Sequence, residues 1–79
     1  MSHVPHELDT VFPEDIAKLD ALKAGDARFR HLADDYHTLN REIHRAETDV
    51  APVADHALED MKKRRLALLD EIRGRIATA

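Results

Sequence analysis

From Phe29 to Val50 the apolar side chains fall at Phe29, Leu32, Tyr36, Leu39, Ile43, Ala46 and Val50, spaced 3, 4, 3, 4, 3, 4. Three unbroken heptads are the period of a helix that lays one stripe against another helix. The intervening residues are almost all charged or polar, so the helix predicted over 26–50 carries one narrow apolar stripe and is not stable alone. Asp26, directly after Gly25, stands where its side-chain oxygen can cap that helix, and Asp26 with Arg30 makes an i,i+4 pair.

The C-terminal third of the chain supplies the partner. Pro52 cannot continue a helix and pushes Ala51 toward extended geometry, which predicts a loop over 51–54. Asp55 is the expected N-cap of a second long helix over 55–77, with Leu58, Met61, Leu68, Leu69, Ile72 and Ile76 at helical spacing and the stem of Arg65 filling the gap. Two helices of about 35 Å joined by about four residues make an antiparallel hairpin. In that hairpin Phe29, Leu32, Tyr36, Leu39 and Ile43 face Met61, Leu68 and Ile72. Upstream, Pro13 with Glu14 and Asp15 opens a short helix over 13–24 that buries Ile16, Leu19 and Leu22. Residues 1–12 read as a flexible segment with a turn near Pro5. The expected fold is all-α: a single small domain over 1–79, a coiled-coil-like antiparallel hairpin with an additional short N-terminal helix.

The second long helix has more apolar surface than one partner covers. Leu66, Leu69 and Ile76 lie partly rotated from the line through Leu58, Met61, Leu68 and Ile72, and form an expected outer contact. The N-terminal helix with Phe12, Ile16, Leu19 and Leu22, a second copy of the chain, or a different protein can each cover it; the periodicity does not choose among them.

Chemistry is thinly provided. Ser2 is the only serine, there is no cysteine, and no Gly-rich phosphate loop or nucleophile elbow occurs. A 79-residue chain rarely builds the several walls of a preorganised pocket. Six histidines raise the question of a metal, with His3 and His6 two residues apart and His37, His44 and Glu47 on nearby faces of one helix. His37 and His44 stand about 10 Å apart along that helix, too far to share one ion unaided. Asp34 with His37 and His31 with Asp35 have the spacing of weak surface pairs. No catalytic, cofactor or metal residue is expected, and the chain is not expected to be an enzyme.

With 12 Lys and Arg against 16 Asp and Glu, the net charge of −4 gives no field to capture nucleic acid or an anionic membrane. The run Lys62-Lys63-Arg64-Arg65 is the exception and marks the alternative reading, a nucleic-acid accessory protein. Successive helical residues point about 100° apart, so the run wraps the helix. Glu59 with Lys63, Asp60 with Arg64 and Glu71 with Arg75 offer self-neutralising i,i+4 pairs. No apolar run approaches a membrane span, the first fifteen residues lack a signal peptide's apolar stretch, and the absence of cysteine fits a reducing compartment, so a soluble cytoplasmic protein is expected.

The stretch FRHLADDYHTLNREIHRAE over 29–47, preceded by LKAGD over 22–26 and followed after a Pro-containing loop by LEDMKKRRLALLDEI over 58–72, resembles the YdcH-type family of small bacterial proteins of unknown function. That resemblance implies a helical hairpin in a bacterial cytoplasm and carries no reaction or catalytic residue with it. Leu69 stands where relatives are expected to have lysine before Asp70-Glu71-Ile72, which widens the apolar face of this chain. The expectation is a non-enzymatic interaction module, self-associating or docking onto an unidentified protein through Leu66, Leu69 and Ile76.

Overall fold

The computed structural model describes residues 6–48 and 53–79. Among them the chain runs α1 (Leu8–Val11), α2 (Ile16–Gly25), α3 (Ala27–Glu47) and α4 (Asp55–Thr78). The 24 residues of α4 come to about 36 Å at 1.5 Å each, close to the 38 Å long axis of the molecule. The two long helices pack on each other and α2 packs on α3.

The heptad seam is the spine of the core. Phe29, Leu32, Tyr36, Leu39, Ile43 and Ala46 are all buried, while Val50, Ala51 and Pro52 lie outside the described residues. Asp26 caps α3 as its position predicts: its Oδ1 accepts the Arg28 and Phe29 backbone N–H groups at 3.0 and 3.2 Å. The cap of α4 differs from expectation. Ala54 holds the N-cap position and Asp55 is the first helical residue, where its carboxylate acts on the positive end of the helix rather than on a single N–H.

The larger correction lies upstream. Within the segment expected as flexible chain, Leu8–Val11 form α1 and the stretch packs down: Leu8 is fully buried and Phe12 nearly so. Leu8, Phe12 and Leu19 join one cluster with Phe29, Leu32, Ala33, Tyr36, Ile72 and Ile76. The physical reason is the surplus face on α4, which Leu8 of α1, Phe12 just after it and Leu19 of α2 are placed to cover. Buried Ala33 shows the same thing from α3, whose covered stripe is broader than its seam because residues 6–25, the N-terminal arm, join the same cluster. Within α2, Leu19 is buried and Leu22 half-buried, but Ile16 is 41 % exposed. Ile16 opens the helix, and side chains there lean back toward the N-terminus, past the end of the contact.

Polar contacts hold the arm at four levels. The Tyr36 hydroxyl donates to the His6 carbonyl at 2.7 Å. His37 Nδ1 lies 2.9 Å from Glu7 Oε2, and the Arg73 guanidinium sits 5.6 Å from the centre of the Phe12 ring. Lys18 Nζ donates to the Ile76 carbonyl at 3.4 Å, a cation at the negative end of α4.

Candidate functional site

The residues expected to make an outer contact separate in the structure. Ile76 is only 6 % exposed and belongs to the core, and Leu69 is half-buried against it. Both expectations are corrected by the arm, which occupies the side of α4 they face. Leu66 alone keeps the expected character, 58 % exposed. At 100° per residue it stands roughly 120° around α4 from Ile72 and 60° from Leu69, so it rides beyond the edge of the covered face. Among the described residues Val53 and Ile16 are the other large apolar side chains left open, Val53 just before α4 and Ile16 at the start of α2.

The opposite side of the hairpin carries a groove between α3 and α4, lined by Asp35, Thr38, Glu42, Arg64 and Leu68. Toward the loop it continues into a more apolar patch lined by Glu42, Arg45, Val53 and Met61. Both signs of charge line it, so it favours neither anions nor cations.

The basic run is dispersed around its helix and partly committed. Lys62 Nζ pairs with Glu47 Oε2 at 2.9 Å, and this hydrogen bond holds the Glu47 carboxyl below its usual range against a smaller opposing effect of burial. Arg65, half-buried, donates to Asn40 Oδ1 at 2.9 Å, whereas Arg64 lines the groove beside Asp35 and Glu42. Lys63 is exposed. Arg75, expected to pair with Glu71, reaches Asp26 Oδ2 at 3.8 Å instead, and Arg30, expected on Asp26, donates to the Lys23 carbonyl at 3.2 Å. For Arg75 and Arg30 cross-element contacts thus replace the pairs that spacing within one helix suggests, while Arg73 pairs within α4 with Asp70 at 3.1 Å.

Among the described residues Tyr36 is the one titratable group sealed into the core. Burial pushes its phenol above the ordinary value; Arg65 opposes that and the Glu7 carboxylate adds to it. Its neighbour His37 meets the Tyr36 ring edge-on, with centroids 6.1 Å apart, and pairs with Glu7 rather than with Asp34. His3 lies outside the described residues, and among the described ones no group of three or more His, Asp or Glu side chains is arranged to hold a metal ion. No helix among the described residues is long and apolar enough to cross a membrane.

Sequence reasoning missed Asn40, the buried polar side chain that receives Arg65. Its signal was present: Asn40 follows Leu39 at the position one step beyond the seam, as Ala33 follows Leu32.

A family model described as a protein of unknown function, DUF465, matches residues 29–76, which covers the hairpin from its first buried aromatic residue to its last buried isoleucine. The YdcH-type resemblance falls within this family. No curated protein and no solved structure matches the chain.

Proposed function

We propose that this chain, which belongs to the DUF465 family of proteins of unknown function, is a non-enzymatic module that binds protein, either a second copy of itself or another chain, through the edge of α4 around Leu66. The observation that carries this reading is the exposure of Leu66, 58 % open on a regular helix whose other large apolar residues are covered or half-covered. Exposed Leu66 beside half-buried Leu69 leaves apolar area that a partner gains by covering. The use of the polar groups supports a non-enzymatic role: His37, the best-placed acid/base candidate, bolts the arm to α3 through Glu7.

Less supports a nucleic-acid role, because Lys62 and Arg65 are held by Glu47 and Asn40 and no aromatic platform lies among them. Light scattering across a concentration series, with capture of binding proteins at low and high salt, tests the proposal. The expected result is association that Leu66→Asp weakens and salt leaves nearly unchanged. Association and capture that are both unchanged by Leu66→Asp overturn it, and binding that collapses as salt rises points to phosphate contacts at Lys62 and Lys63 instead.

A further inference from the structure

The arm and the hairpin are joined by one residue outside helical geometry. Asp26, at φ −135° and ψ 107°, separates Gly25 of α2 from Ala27 of α3, and no proline enforces the break. Its cap accepts two backbone N–H groups, those of Arg28 and Phe29, while Arg30 Nη1 satisfies the Lys23 carbonyl. With Asp26 in helical geometry those three bonds are lost, along with the 3.8 Å pairing of Asp26 with Arg75, which is exposed enough to count for little. The N–H groups of Ala27, Arg28 and Phe29 then reach the carbonyls of Lys23, Ala24 and Gly25, which is three backbone bonds in exchange for three. The bend is therefore close to balance in hydrogen bonding, and the packing of the arm decides it. A helix continuous over 16–47 is about 48 Å long and carries α1 away from the hairpin it now covers.

The face that the arm leaves behind is apolar, formed by Phe29, Ala33, Tyr36, Ile72 and Ile76. It is shaped to one cover, and every copy of the chain carries that cover. We infer that two copies straightened at Asp26 exchange arms, each arm seating on the other's hairpin with the contacts it makes at home. Leu8, Phe12 and Leu19 enter the neighbour's core, its Tyr36 hydroxyl meets the incoming His6 carbonyl, and the incoming Lys18 meets its Ile76 carbonyl. Away from the hinge the contact set is the same in both forms, so the hinge and the concentration of chains set the balance between them. Leu66 takes no part, and the exchange stands apart from the contact proposed at that residue.

Asp26→Ala removes the cap and supplies the best helix former. The expected shift is about fivefold per hinge, and two hinges open in each dimer, which gives an increase of about 25-fold in the dimerisation constant by light scattering. Asp26→Asn retains a capping oxygen and gives up only the exposed pairing with Arg75, so it is expected to stay within about twofold of the unaltered value. In dimers prepared from mixed isotope-labelled chains, nuclear Overhauser effects are expected between the Phe12 ring of one chain and the Ile72 and Ile76 methyls of the other. A dimerisation constant unmoved by Asp26→Ala, or dimers without those intermolecular contacts, overturns the inference. Leu66→Asp placed on Asp26→Ala separates the two surfaces: exchanged dimers persist, whereas dimers that dissolve are held by Leu66 and the exchange is refuted while the Leu66 contact stands.

Discussion

Replacing Tyr36 by Phe deletes one oxygen from a ring that is otherwise sealed in the core, so the loss is that of its hydroxyl bond to the His6 carbonyl. A neutral bond of this kind contributes about 0.5–1.5 kcal/mol, and because His6 is exposed its carbonyl is rehydrated when the donor goes. That places the loss in the lower half, about 0.5–1 kcal/mol at neutral pH, or about 3–6 °C in Tm for a domain of this size. The pH dependence is the sharper signature. Burial raises the Tyr36 phenol, so the folded state favours the neutral form. The stabilisation that accompanies a raised pKa is complete below the unfolded value of about 10 and is lost as pH rises through 10 toward the native value. Urea unfolding followed by circular dichroism from pH 7 to 11 is expected to show a steeper alkaline loss for the parent than for Tyr36→Phe. Phenolate absorbance reports the titration directly, since Tyr36 is the only tyrosine. Equal stability of the two chains at pH 7 together with equal alkaline slopes would refute the assignment of that hydroxyl as the arm's tether.

Ile72→Ala empties a fully buried position shared by arm and hairpin and is expected to cost about 3–4 kcal/mol by chemical denaturation, whereas Leu66→Ala, on the open edge of the same helix, stays within about 0.5 kcal/mol. Asn40→Ala leaves the half-buried Arg65 guanidinium without this acceptor, for an expected loss of about 1.5–3 kcal/mol, larger than that of Tyr36→Phe although the bond lengths are similar. Lys62→Gln is expected to bring the Glu47 carboxyl back up toward its ordinary value by nuclear magnetic resonance titration. A lowered carboxyl stabilises above its unfolded pKa and ceases to as pH falls through the native one, so this contribution disappears on the acid side. Because the pair is exposed, the change in unfolding free energy stays below about 0.5 kcal/mol and shrinks with salt.

The hairpin was legible because its information is local. Six seam residues repeat along one helix, and Asp26 and the segment around Pro52 mark its limits within a few residues. The arm was harder to read: α1 has four residues, too few to show a period, and Leu8 within it and Phe12 just after it look like isolated apolar residues in a polar segment. Only the excess of apolar positions on α4 announced that something must cover it, without saying what. The same ambiguity sent Ile76 and Leu69 to the outside in the sequence reading, since rotation around one helix does not tell a face covered by the chain's own N-terminal residues from one left for a partner. Asn40 and Ala33, one step beyond the seam, carried the missing clue to the breadth of the buried face.

The closing of the core by residues far apart in sequence also sets a clock on biosynthesis. Lys18 and the Ile76 carbonyl it meets are 58 positions apart, and Leu8, Phe12 and Leu19 wait about as long or longer for Ile72 and Ile76. At a ribosomal rate of about 5–20 residues per second the arm spends about 3–12 s in translation before its seat exists. Helices form in about a microsecond and small helical domains fold in microseconds to milliseconds. The arm thus meets the rest of its core at a moment fixed by elongation, and its apolar side chains stay without their native cover for nearly all of the time the ribosome takes to reach Ile76.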